Sequence, residues 1–303
     1  MWYSPGNCMA IDGVVYVNGT ITPAAEAVIP VFDHGFLYGE GVYETLRTYN
    51  RSPFLFMPHM ERLRRSAALM ALPVPFTDQQ MWDWMVETMA GHDRMVAPLR
   101  EAYIRILFTR GVGPLTYNPA ATPSPSVVII VKEFPAPAER TFTDGIAVAL
   151  VDVRRNHPDA LNPAIKSNNL LNNALAMQQA LRSGAEEALM LNHDGHVVEC
   201  SQSNFFIVKD GVVMTPPLRD GLLPGITRTF VMDLAQQQGY ACREASFGPD
   251  AVFDADEAFI TGTTREVTPV VRVGERGIGT GVPGTITQQL LAAFREACRE
   301  NRQ

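Results

Sequence analysis

Asn162-Pro163-Ala164-Ile165-Lys166-Ser167-Asn168-Asn169-Leu170-Leu171 marks the point where an extended, proline-interrupted stretch gives way to a helical pattern. A lysine amine attacks a carbonyl only when unprotonated, a state it reaches in a dry pocket or when already bound as an imine. By position alone Lys166 is one more solvated charge. Its weight depends on what surrounds it. Upstream, residues 146–153 read as a strand that runs into a proline-containing loop over 154–165. Downstream, Leu170, Leu171, Ala174, Leu175, Gln178 and Leu181 recur at helical spacing, so a helix is expected to begin directly after the lysine, with Gly184 as its cap. Strands follow at 187–191 and 196–199, joined by the hairpin signal Asn192-His193-Asp194-Gly195, and then at 205–208 and 212–214. Helical patterns at 227–238 and 286–298 close a strand-dense second half.

The first half is also mixed. A run at 14–17 before Asn18-Gly19 predicts a hairpin, and 42–49, 103–108 and 127–131 read as strands. Met60, Leu63, Ala67 and Met70 give a helix that ends before Pro73 and Pro75, and a second helix is expected over 78–91. Glu133-Phe134-Pro135-Ala136-Pro137-Ala138 is stiffened by its prolines and is the candidate linker. The expectation is an α+β chain with a small N-terminal α/β domain at 1–132, a linker at 133–139 and a larger domain at 140–303. At 303 residues the chain is about twice a typical domain, which agrees with two cores.

Composition narrows the class. The chain is 46% hydrophobic, and no apolar run approaches the ~20 residues that cross a bilayer. Its opening, Met1-Trp2-Tyr3-Ser4-Pro5-Gly6-Asn7, lacks a basic and then apolar pattern, so the expected location is cytoplasmic. Cys8, Cys200, Cys242 and Cys298 show no paired spacing, which argues against a disulfide scaffold or a metal site. A net charge of -7, with Arg62, Arg64 and Arg65 as the only basic cluster, argues against nucleic acid. A small-molecule enzyme is the remaining profile.

Several residues can carry chemistry beside Lys166, and a reactive lysine makes the aldehyde of pyridoxal phosphate its natural partner. Leu223-Pro224-Gly225-Ile226-Thr227-Arg228 breaks the chain and starts a helix, leaving backbone N–H groups for an anion. Ile260-Thr261-Gly262-Thr263-Thr264 offers a small hydroxyl-rich turn after a strand. Glu199 ends a strand and precedes Cys200-Ser201-Gln202-Ser203-Asn204; a carboxylate there can hold a protonated pyridine nitrogen. Arg62 can meet a phosphate with its planar fork.

Taken in order, these motifs make the chain resemble the fold type IV pyridoxal phosphate enzymes: branched-chain and D-amino acid aminotransferases, (R)-selective amine transaminases and aminodeoxychorismate lyases. The likeness runs from Asp33-His34-Gly35-Phe36-Leu37-Tyr38-Gly39-Glu40-Gly41-Val42-Tyr43-Glu44 to Gly279-Thr280-Gly281. It includes His59-Met60-Glu61-Arg62-Leu63, Lys166-Ser167 with Asn169, and Gly262-Thr263-Thr264-Arg265-Glu266-Val267-Thr268-Pro269. The resemblance implies a larger domain with a strand-rich, barrel-like core. It implies Lys166 as the Schiff-base lysine, Glu199 as the pyridine partner and Arg62 as a phosphate ligand, with Ser203, Asn204, Ile226, Thr227 and Thr263 also around pyridoxal 5'-phosphate. Tyr38, Tyr43, Leu115, Tyr117, Thr264 and Arg265 fall where the family lines its substrate pocket.

The implied activity is transfer of an amino group between an amino donor and a keto acid, branched-chain-like first, D-amino acid or (R)-amine next, lyase last. Leu170 stands where branched-chain members usually carry a tyrosine, and Leu115 and Tyr117 stand where D-amino acid members carry Arg and His. The family also implies a homodimer or larger homo-oligomer.

Overall fold

The computed structural model describes residues 12–122 and 124–301, so Cys8 and the opening heptapeptide lie outside the described residues. The chain divides into two compact units, one running through Pro135 and taking in Asn301, the other spanning Ala136–Glu300.

In the first unit β1 (Val14–Val17), β2 (Thr20–Pro23), β3 (Gly41–Tyr49), β4 (Ser52–Pro53), β5 (Ala102–Thr109) and β6 (Ser126–Glu133) form a six-stranded sheet in the order β2-β1-β6-β5-β3-β4. The Asn18-Gly19 signal makes the expected hairpin, with Val17 opposite Thr20 and both turn residues at positive φ. Strand β5 shows why one face is core: Ala102, Ile104, Ile106 and Phe108 are sealed, while Tyr103, Arg105 and Leu107 alternate onto the other face. Helices α1 (His34–Tyr38), α2 (Phe56–Leu69) and α3 (Asp78–Met95) complete the unit, with Met60, Leu63, Met81 and Met85 buried. Two helix boundaries differ from the periodicity reading. α2 begins earlier, at Phe56, because Pro58 falls in a first turn, where its missing N–H costs nothing. α3 runs through Gly91 instead of stopping there; this glycine lets the helix lie close to β2, since a Cβ would stand 3.0 Å from Ile21 Cγ2.

The second unit holds α4 (Arg140–Thr143), β7 (Ile146–Leu150), α5 (Leu171–Arg182), β8 (Glu187–Leu191), β9 (Val197–Cys200), β10 (Asn204–Lys209), β11 (Val212–Thr215), α6 (Ile226–Gln237), β12 (Cys242–Glu244), α7 (Pro249–Phe253), β13 (Glu257–Gly262), β14 (Glu266–Val273), β15 (Arg276–Gly277) and α8 (Thr285–Arg299). The path β10-β13-β14-β7-β8-β9 returns to β10 through the pair Asn204–Glu199, closing a ring of strands. Closure leaves the ring itself without a terminal strand, and β11 with β12, and β15, extend outside it. Ile146, Val148, Leu189, Val197, Phe205, Ile207, Ala258, Ile260 and Val270 pack into one core, contributed by every strand of the ring. Ala149, Ala188, Met190 and Val198 face the opposite way, against Ala176 and Ala180 of α5. The leucine stripe that predicted α5 therefore does not supply its packing face. Leu171, Leu175 and Leu181 are exposed, and small alanines make the close approach to the sheet.

Candidate active site

Strand pairing sets three polar residues side by side on the outer face of the ring. Glu199 on β9 pairs with Asn204 on β10, and Asn204 pairs with Thr261 on β13. A register shift between Met190 and Leu191, opposite Val198, carries Glu199 onto the same face as Met190. All three of Glu199, Asn204 and Thr261 are buried.

Glu199 is held by more than the sequence suggested. Arg155 Nε donates to its Oε1 at 2.7 Å, and the Leu223 N–H and Asn204 Nδ2 donate to Oε2 at 3.1 and 3.2 Å. Arg155 is itself fixed: its N–H bonds Leu191 O at 2.9 Å, and its Nη1 donates to Asn172 Oδ1 at 3.1 Å. Burial pushes the Glu199 carboxyl above its ordinary value, opposed by the charge and hydrogen bond of Arg155, by the Leu223 N–H and by the charge of Lys166. Lys166 is the smallest of these influences on Glu199. Arg155 escaped the sequence reading because its partner lies 44 residues away and meets it only through the β8–β9 pairing.

Around this row the backbone offers donors for an anion. α6 begins at Ile226 behind Gly225, with no side chain capping its first turn. Gly225 lies tight against the row, since a Cβ there would stand 1.9 Å from Asn204 Oδ1. Thr227 is buried in that first turn. Thr261 Oγ1 is buried and has no hydrogen-bond partner, an unmet donor of the kind a bound polar group satisfies. β13 then leaves the row into the turn at residues 263–265, where the Arg265 N–H donates to Gly262 O at 3.0 Å. The next residue, Glu266, adopts φ 51°, a left-handed conformation that costs a residue with a side chain about 1–2 kcal/mol.

Lys166 does not open a helix. α5 starts at Leu171, and the residues between are turns: Ser167 N–H bonds Ile165 O at 2.9 Å, Asn169 N–H bonds Ser167 Oγ at 3.3 Å, and Leu170 N–H bonds Asn168 O at 3.0 Å. Short polar side chains that bond nearby backbone compete with helix, which is why the periodic pattern begins late. The chain has three lysines. Lys132 lies over the Tyr103 ring at 5.3 Å and Lys209 pairs with Asp256 at 3.2 Å, both ordinary surface roles. Composition leaves three candidates, and it is these contacts that set two of them aside.

Ser203 is committed elsewhere: its hydroxyl donates to Glu187 Oε2 at 3.2 Å. Glu187 is fully buried and also accepts from the Ser201 N–H and hydroxyl, so it fixes the turn that links Glu199 to Asn204. A glutamate opening the otherwise apolar run Glu187-Ala188-Leu189-Met190-Leu191 was the available signal.

The first unit carries the remaining predicted residues. Arg62 is buried on α2, and its Nε and Nη2 donate to the two oxygens of Glu44 at 2.8 and 2.7 Å, while His59 Nδ1 lies 2.7 Å from Glu44 Oε2. Burial raises the Glu44 carboxyl, but Arg62 and His59 outweigh it and bring it down to about 2. Two of Arg62's nitrogens are thus held by Glu44, which orients the fork. Tyr38 and Tyr117 come together, with ring centroids 5.1 Å apart, and the exposed Leu115 belongs to the same loop as Tyr117. Tyr43 lies on β3, beneath the Arg105 guanidinium at 4.0 Å.

The family model for amino-transferase class IV matches residues 41–273. A Methanocaldococcus jannaschii protein provisionally named branched-chain-amino-acid aminotransferase is 40% identical, the match covering 93% of this chain and 95% of that one. A D-alanine aminotransferase of Listeria monocytogenes is 34% identical over 94% of this chain and 98% of its own. Among solved structures, a T.th. branched-chain amino acid aminotransferase with pyridoxamine 5'-phosphate superposes with a TM-score of 0.89 at 31% identity, covering 96% and 95% of the two chains. The chain belongs to the class IV aminotransferases. Their cofactor is pyridoxal 5'-phosphate, and the residues present fit it: a buried carboxylate for the ring nitrogen, an uncapped helix start and an unmet Thr261 hydroxyl for polar oxygens, and one lysine under the same electrostatic field.

Proposed function

We propose that this aminotransferase moves the amino group of a branched-chain L-amino acid to a 2-keto acid, with Lys166 as the amine that holds the cofactor and carries the proton. When bound, pyridoxal 5'-phosphate supplies an aldehyde carbon to receive the amino group and a protonated ring that draws electrons away from the substrate's Cα. Lys166 Nζ would be the group that takes up and returns the proton of the substrate's Cα. Glu199, paired with Arg155, accepts a hydrogen bond from the ring nitrogen and keeps its proton in place. The first turn of α6, with Ile226 and Thr227, and the hydroxyl of Thr263 bind the phosphate; a phosphate role for Arg62 rests on the family resemblance alone. Backbone N–H groups at Thr264 and Arg265 receive the substrate carboxylate; a substrate role for Tyr38, Tyr43, Leu115 and Tyr117 of the first unit rests on the family resemblance alone.

The observation that carries this reading is the Arg155–Glu199 pair set in one row with Asn204 and Thr261. A carboxylate so deeply buried needs a charged partner, and a bound ring N–H completes its shell. The branched-chain preference rests on the loop Thr109-Arg110-Gly111-Val112-Gly113-Pro114-Leu115, on the absence of Arg and His at 115 and 117, and on the named relatives. Leu170, together with the D-alanine aminotransferases among the relatives, supports a D-amino acid donor as the second reading.

The test is to incubate the loaded protein separately with L-leucine, D-alanine and (R)-1-phenylethylamine and follow conversion of the cofactor to its aminated form by absorbance. L-Leucine is expected to convert it. Conversion by D-alanine alone overturns the first reading.

We also infer a homodimer and a cytoplasmic location. Val28, Val31, Phe32 and Phe36 of the first unit are 80, 63, 50 and 65% exposed, an apolar surface that a second copy would cover. The free thiols of Cys200 and Cys242 suit a reducing compartment. No helix among the described residues is long and apolar enough to cross a membrane.

A further inference from the structure

Glu266 opposes its own backbone. Its φ of 51° is relaxed for glycine and strained for glutamate, and the residue is buried at 6% exposure. Arg295 of α8 offsets the buried charge, donating from Nε to Glu266 Oε2 at 2.8 Å. Arg295 is braced in turn: its Nη1 meets Glu139 Oε1 at 3.3 Å, and its guanidinium lies 4.3 Å over the Phe142 ring of α4. A glycine at 266 would make the same turn with less strain and no grip. The glutamate is therefore explained by its tie to α8 and not by the turn itself.

We propose that Glu266 and Arg295 form a positioning pair that fixes the turn at residues 263–265 against α8, and so sets the amides that receive the substrate carboxylate. This rests on the function proposed above. Glu266 closes β14 onto β13 through its pairing with Gly262, so the tie acts at the base of the turn. Neither residue is placed at the reacting atoms. Loss of the tie is expected to weaken carboxylate binding while leaving the chemical step nearly intact.

The test uses the cofactor-loaded enzyme and 4-methylvalerate, an acid with a branched tail and a carboxylate but no amino group, so that binding is read without turnover. Glu266→Gly, Glu266→Gln and Arg295→Met are each expected to weaken 4-methylvalerate binding and raise KM for both substrates about tenfold, with kcat changed less than about twofold. Arg295→Lys, which keeps the charge, should recover most of the loss. The double variant Glu266→Gln with Arg295→Met should be no worse than either single one. Glu266→Gly also relieves the strain, so it remains a sound probe should Glu266→Gln fold poorly. Variants that bind the acid as wild type does, or that lose kcat at unchanged KM, overturn the tie while the function stands. A loaded wild type that does not bind the acid at all overturns both.

Discussion

Replacing Glu44 by Gln tests the electrostatic frame around Arg62. In the folded chain the Glu44 carboxyl titrates at about 2 against an ordinary 4.5, a difference of about 2.5 units, worth about 3 kcal/mol. Because the folded value is depressed, this stabilisation is complete above about pH 5 and is lost as pH falls from about 4.5 through about 2. Glutamine keeps the shape but not the charge, leaving the buried Arg62 with a neutral partner. The variant should be less stable by about 3 kcal/mol at pH 6, a fall of about 10 °C in the melting of the first unit. At pH 3 wild type has already lost about 2 kcal/mol of this, so the gap should narrow to about 1 kcal/mol. Urea unfolding read by tryptophan fluorescence is suited to the measurement, because Trp82 and Trp84 lie on α3 in the same unit. Other carboxylates titrate in both proteins and cancel in the difference. A gap of equal size at pH 6 and pH 3, or one that widens on acidification, would refute the reasoning.

The second unit gives two further expectations. Arg155→Met removes the strongest charge beside Glu199, so the carboxyl, already raised by burial, rises further and the acid limb of kcat/KM moves to higher pH; an unmoved limb would show that Arg155 does not govern Glu199. Gly225→Ala places a methyl 1.9 Å from Asn204 Oδ1. Relieving that overlap should cost about 1–3 kcal/mol and weaken cofactor binding, measured by equilibrium dialysis, at least about tenfold; unchanged affinity would mean that α6 does not press on the row.

The ring strands β7 to β10 were legible because they read as continuous apolar runs, as at 187–191 and 205–208, whereas β14 (Glu266–Val273), broken by Pro269 and opening on a charge, was not read as a strand. Closure of the ring was implied by family resemblance and not by pattern, because a pairing such as Asn204 with Glu199 leaves no local trace. Lys166, Glu199 and the start of α6 could be picked out by residue type and by turn chemistry. Arg155, Glu187 and the Glu266–Arg295 pair could not, since each depends on strands or helices meeting across 14 to 44 residues of chain. The α5 leucines show the opposite limit: a correct period identified the helix but not the face it buries.

The central claim is that Lys166 holds the cofactor, and reductive trapping tests it most directly. The loaded protein is treated with borohydride, digested, and its lysine peptides are weighed. With Lys132, Lys166 and Lys209 as the chain's only lysines, the outcome is a choice among three. The phosphopyridoxyl mass is expected on the peptide that contains Lys166, and should be absent from the same preparation of Lys166→Ala. Label on Lys132 or Lys209 at equal yield, or no label on a protein that still transaminates, would contradict it.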